Sequence, residues 1–143
     1  GSVLHAVFAQ IRTLADVPSV LRQLEQDGVI YDSDLTKDKV VEMLNKRFAD
    51  KRVKEWFSDG WQLFNECSIL SVDPVTNAVV THRPDRVITN GEEMRVIDFK
   101  FGKPKEEYHA QVASYMALLE TMGYKRVSGY LWYVYSNKIE EVK

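Results

Sequence analysis

The sequence predicts an α+β domain, a mixed sheet covered by helices, and three observations predict it. Apolar residues keep helical spacing through about residue 60. From residue 61 the pattern changes to strand-like runs separated by turn residues. One long helical stripe then interrupts the strands before the last of them. The order is helices followed by β-β-β-α-β, the signature of helices packed on a mixed sheet.

Leu4, Val7, Phe8, Ile11 and Leu14 recur at helical spacing, so residues 3–15 predict an amphipathic helix. Ser19 is placed to cap a second, short helix to Asp27, with Gly28 as its stop. Thr36 is placed to cap a third, carrying Val40, Met43, Leu44 and Phe48, with helix continuing toward Phe57. "WQLFNECSIL" and "NAVVTHRPDRVIT" predict strands joined by Asp73-Pro74 and Asn77. "MRVIDFKF" follows Asn90-Gly91, the strongest short hairpin signal, so these three strands form an antiparallel meander. "EEYHAQVASYMALLETMG" predicts a helix stopped by Gly123, with Tyr108, Val112, Tyr115, Leu119 and Met122 as its apolar stripe. "VSGYLWYVYS" is an aromatic, β-branched strand reached by a crossover, and "IEEV" is a short strand to pair with it.

A chain of 143 residues is read as one domain, its helical part about 1–60 and its β-β-β-α-β core about 61–143. Its 45% hydrophobic and 28% charged residues are those of a globular protein. No signal-peptide pattern opens it, and no apolar run nears the roughly 18–20 residues that cross a bilayer. A membrane partner is not expected. Cys67 is the only cysteine, which excludes a disulfide framework and fits a reducing, cytoplasmic setting. The net charge of -2 does not advertise a polyanion partner. Residues 37–54 nevertheless hold seven lysines and arginines against three acids. Lys46, Arg47, Lys51 and Arg52 are therefore either a solvated helix face or a phosphate contact.

The chemistry concentrates in "RPDRVITNGEEMRVIDFKFGK". Residues two apart in a strand share a face, so Val96, Asp98 and Lys100 point one way and Ile97, Phe99 and Phe101 the other. A carboxylate and an ammonium thus interrupt a strand otherwise rich in core residues. Across the Asn90-Gly91 turn, Asp85 falls within reach of the same patch. Two carboxylates about 4 Å apart repel by roughly 4 kcal/mol at an effective dielectric near 20. A divalent hard cation such as Mg²⁺ or Mn²⁺ offsets both charges, where Lys100 offsets one. Gln111 shares a face with Tyr115, at a position where an unpaired buried amide costs about 1–3 kcal/mol. His5 borders the first helix's apolar stripe, and Glu66 is a further acid in the first strand. On these residues alone, a surface Asp98–Lys100 ion pair in a purely structural domain stays an alternative.

In order, His5, Glu66, Asp85, Asp98-x-Lys100 and Gln111-x-x-x-Tyr115 resemble the PD-(D/E)XK nuclease superfamily. Specifically, they resemble its RecB-like branch, the C-terminal nuclease of AddA-type and RecB-type helicase-nucleases. "GSVLHAVF" resembles that branch's opening helix, "RPDR" its aspartate motif, "VIDFKFGK" its D-x-K motif and "YHAQVASY" its Q-x-x-x-Y helix. The resemblance implies a restriction-endonuclease-like core excised from a larger helicase-nuclease. It further implies Mg²⁺, with Mn²⁺ as substitute, held by Asp85, Asp98, the Phe99 carbonyl and His5. Lys100 would position the attacking water, Gln111 and Tyr115 would brace the site and meet DNA, and Glu66 matches a less constant acid. DNA, as single strands or unwound duplex ends, and a helicase domain in the same or a partner chain would be the partners. An iron-sulfur cluster, used by relatives with four cysteines, is not expected. A non-catalytic nucleic-acid-binding or assembly module with the same fold is the alternative function.

Overall fold

The computed structural model describes residues 2–27, 37–64 and 69–142. They fall into two compact units, residues 1–61 and 62–143. The helical unit holds α1 (Ser2–Gln10), α2 (Val17–Gln26), α3 (Lys37–Phe48) and α4 (Lys51–Trp56). Its core is aromatic and aliphatic: Phe8, Phe48 and Phe57 form a ring cluster with centroids 5.2–6.3 Å apart. Val7, Ile11, Leu21, Leu44 and Val53 are buried.

The first helix is shorter than its periodicity predicts. It ends at Gln10, and the chain turns through a 3₁₀ segment, Leu14–Asp16, before α2. There the Asp16 carboxylate accepts from the Arg12 and Thr13 main-chain N–H groups, and this turn begins α2 at Val17 with Asp16, not Ser19, as its N-cap. Such local acceptors compete with continued helix. Gly28 and Thr36, the predicted stop and cap, lie outside the described residues. At α4 the Asp50 carboxylate accepts from the Arg52 main-chain N–H at 2.9 Å, a regular N-cap.

The second unit is built on a five-stranded sheet in the order β1-β4-β5-β6-β7, where β1 is Gln62–Leu63, β4 Arg86–Thr89, β5 Glu93–Lys100, β6 Arg126–Tyr133 and β7 Lys138–Val142. Neighbours are antiparallel except β5 and β6, which are parallel and joined by α5 (Glu106–Thr121). This is the predicted meander, crossover helix and closing strand, and the fold is α+β as expected. The first two predicted strands, however, each divide. Their distal halves, β2 (Ile69–Val72) and β3 (Val79–His82), pair with each other in a separate two-stranded sheet. Pro84 stands at the break between β3 and β4, and a proline cannot donate to a ladder. The tip closes as read: Asp73 accepts from the Val75 and Thr76 N–H groups, and Asn77 takes a positive φ of 62°.

Helix α5 covers one face of the sheet. Val112, Tyr115 and Leu119 are buried against Val87, Met94, Val96, Leu131 and Tyr133. Met122, predicted in that stripe, is instead 49% exposed, because the helix has already ended. Gly123 follows with φ +104°, which an L side chain rarely adopts, and stops the helix as predicted. Gly129 on β6 lies directly beneath the helix: a Cβ there would fall 2.6 Å from Val112 Cγ1 and 2.5 Å from Met116 Sδ. On the opposite face Ile88, Ile97, Phe99 and Trp132 are fully buried, with the Phe99 and Trp132 rings edge-on at 5.7 Å.

Candidate active site

The β4–β5 register pairs Arg86 with Ile97 and Val87 with Val96. Extending it by one residue brings Asp85 opposite Asp98, just beyond the start of β4. There the ladder is completed by side chains. The Asp85 main-chain N–H donates to Asp98 Oδ1 at 3.0 Å, and the Phe99 N–H donates to Asp85 Oδ2 at 2.8 Å. Each carboxylate is thereby tied to the other strand's backbone. Bonds from N–H to carboxylate are among the stronger protein hydrogen bonds, so both acids are fixed in position. Asp98 is only 3% exposed, which leaves it inside the sheet's α5 face rather than in a solvated surface pair.

Lys100 lies on the same face, two residues on. Its Nζ stands 3.5 Å from Asp98 Oδ2 and donates to Gln111 Oε1 on α5 at 3.2 Å. Gln111, half-buried on the helix, is therefore satisfied by the lysine. The ammonium also sits over the Tyr108 ring, 4.3 Å from its centroid. Tyr115, one turn beyond Gln111, is buried in the core and anchors this stretch of helix. Asp85, Asp98, Lys100 and Gln111 thus converge at one end of the sheet, with Tyr115 behind them.

The other predicted residues are described by their own elements. His5 is half-buried on α1 in the helical unit. Glu66 lies outside the described residues. Lys46 and Arg47 end α3, and Lys51 and Arg52 begin α4. Lys46 pairs with Glu42 at 3.4 Å and Arg52 with Asp50 at 2.8 Å, so part of that charge is answered locally. An apolar recess of about 500 Å³ between α2 and α3 belongs to the helical unit alone.

Two residues escaped the sequence reading. Tyr108 belongs to the predicted apolar stripe, yet its ring faces the lysine. Arg86, beside Asp85, is 5% exposed, and burial pushes its guanidinium down to about 10. Strand alternation was the available signal, since it puts Arg86 on the face of Ile88, Ile97 and Phe99.

The donor set suits a hard divalent ion: two preorganised carboxylates supply oxygen, the ligand type that Mg²⁺ and Mn²⁺ favour. Among the described residues, no three His, Cys, Asp or Glu side chains gather closely enough to hold an ion by themselves. A complete shell would therefore need main-chain oxygen, water or a phosphate oxygen beside the two acids.

A family model of the PD-(D/E)XK nuclease superfamily matches residues 1–143. The chain belongs to the PD-(D/E)XK nuclease superfamily. Its Asp85 and Asp98-x-Lys100 stand at the ends of adjacent strands in a mixed five-stranded sheet, consistent with the restriction-endonuclease-like fold. No curated protein matches the chain closely enough to add a relative. Among the described residues of this nuclease-family domain, no helix is long and apolar enough to cross a membrane.

Proposed function

We propose that this chain is a metal-dependent deoxyribonuclease module that hydrolyses phosphodiester bonds as an exonuclease on single strands. In this reading it serves a RecB/AddA-like DNA-repair helicase motor in the same or a partner chain, in the cytoplasm. The observation that carries the reading is the reciprocal Asp85–Asp98 tie, with Lys100 Nζ 3.5 Å from Asp98. Two carboxylates held side by side at a strand end, with a lysine on the same face, are the arrangement that a hard cation and a phosphate would use.

Asp85, Asp98 and the Phe99 carbonyl would hold Mg²⁺ or Mn²⁺, with His5 as a further ligand and Glu66 as an accessory acid. The ion would polarise the scissile phosphoryl oxygen and lower the pKa of a water. The chain's own residues supply the remainder. The main-chain N–H groups that hold both carboxylates keep them from swinging, so little reorganisation accompanies the reaction. Lys100, tied to Gln111, orients the attacking water and shares the negative charge building on phosphate. Tyr115 braces α5, and thereby Gln111. Lys46, Arg47, Lys51 and Arg52 would meet the DNA backbone.

The test is a time course on end-labelled single-stranded oligonucleotides with Mg²⁺. Wild type should release nucleotides from an end and spare a circular single strand. Asp98→Ala and Lys100→Ala should remove cleavage while each variant remains folded at the assay temperature by circular dichroism. Activity surviving in both folded variants would overturn the site, and cutting of the circle would overturn the exonuclease assignment.

A further inference from the structure

Lys100 must aim one ammonium on a stem with four rotatable carbons, and an unrestrained lysine does not hold a fixed direction. Two of its contacts are polar: Gln111 Oε1 at 3.2 Å and Asp98 Oδ2 at the longer 3.5 Å. Only the first is within ordinary hydrogen-bond length. Two such contacts leave the ammonium free to pivot about the line joining them. The third comes from the Tyr108 ring, 4.3 Å below Nζ, inside the range where a cation gains from the ring's negative face. Tyr108 lies on α5 three residues before Gln111, so one helical turn presents both groups to the lysine. The same residue is partly buried and packs against the core cluster that contains Val112 and Tyr133. Lys105 Nζ is also near it, but at 5.9 Å from the centroid it stands at the edge of that range.

We propose that Tyr108 is a positioning residue of the site, its ring face setting the direction in which the Lys100 ammonium meets the reacting phosphate. The role needs the aromatic face and not the hydroxyl. It rests on the nuclease reading given above, and it adds a residue that the D-x-K and Q-x-x-x-Y patterns do not contain. A leucine at 108 keeps apolar bulk against the core but removes the face; a phenylalanine keeps both.

The experiment compares wild type, Tyr108→Leu and Tyr108→Phe in two measurements. In steady-state cleavage of a single-stranded oligonucleotide, Tyr108→Leu should lower kcat about 10-fold with KM little changed, and Tyr108→Phe should recover most of the loss. In NMR spectra of lysine-labelled protein, the Lys100 ε-CH₂ signal should be shifted upfield by the ring in wild type and Tyr108→Phe. It should return toward the free-lysine position in Tyr108→Leu. Wild-type kcat in a folded Tyr108→Leu would make the ring core filling and overturn the proposal. A raised KM at unchanged kcat would do the same, making Tyr108 a strand contact. If wild type itself does not cleave, the nuclease reading falls, and the NMR comparison still decides whether the ring holds the lysine.

Discussion

Gly129→Ala puts the link between packing and chemistry at risk with one methyl group. The new Cβ would lie 2.6 Å from Val112 Cγ1 and 2.5 Å from Met116 Sδ, whereas carbon contacts prefer about 3.5–4.0 Å. Helix and strand must therefore separate locally by about 1 Å. Met116 can swing its thioether aside. Val112 cannot do the equivalent, because a β-branched residue in a helix holds essentially one χ1 rotamer and this one is fully buried. Overpacking of this kind costs roughly 1–3 kcal/mol. For a chain of this size each kcal/mol lowers Tm by about 2–6 °C. Val112 is adjacent to Gln111, so the retreat also stretches the 3.2 Å Lys100–Gln111 bond past useful length. A misplacement near 1 Å in a positioning group costs on the order of 100-fold in rate. Circular dichroism melts and cleavage rates corrected for folded fraction test both halves. The expectation is a lowered Tm together with a rate 10- to 100-fold down, on the order of the misplacement cost. Adding Val112→Ala, which removes bulk opposite the new methyl, should restore part of each. A lowered Tm with unchanged rate would refute the claim that this packing holds Gln111 in register with Lys100.

Gln111→Ala should cost activity mainly through Lys100, so combining it with Lys100→Ala should add little further loss; additive losses in the double-mutant cycle would show two independent roles. Glu140 bridges Lys138 at 2.9 Å and His109 at 2.8 Å, and those hydrogen bonds, Lys138's first, hold its carboxyl below the ordinary 4.5. A depressed carboxyl contributes stability above its unfolded pKa and loses it as pH falls through the folded value. Glu140→Gln should therefore cost about 0.5–1 kcal/mol of stability at pH 7, the worth of a partly exposed network, seen as a lowered Tm. The gap between variant and wild type should close as the pH drops below 4.5; a gap independent of pH would show that packing, not charge, is at work.

What could be read from the sequence was what local spacing determines. Asn90-Gly91 marked the hairpin and put Asp85 within reach of Asp98 and Lys100. The pairing of Asp85 with Asp98 follows from the four-residue loop 90–93, since a two-residue turn at Asn90-Gly91 would set Asp85 opposite Val96. Alternation placed Lys100 on the same face, and helical spacing set Gln111 beside Tyr115. Features decided by three-dimensional approach were not legible. The separation of β2 and β3 into their own sheet follows from a break at Pro84 that alternation alone could not choose over a continuous strand. Tyr108 looked like one more apolar residue, since a stripe does not record that its first ring would meet an ammonium. Gly129 gave no signal of the helix lying on it. Nor did spacing reveal that the two carboxylates are held by each other's main chain, which is a property of the pair and of neither segment.

The central claim is that Asp85 and Asp98 together form a divalent-cation site. Titration of the protein with Mn²⁺ by isothermal calorimetry tests it most directly, run on wild type, Asp85→Asn and Asp98→Asn under identical conditions. The account predicts a saturable Mn²⁺ isotherm in wild type that is lost or weakened at least about 10-fold in each variant, since each removes one of two anionic oxygen ligands. Equal Mn²⁺ binding in all three folded proteins would contradict it.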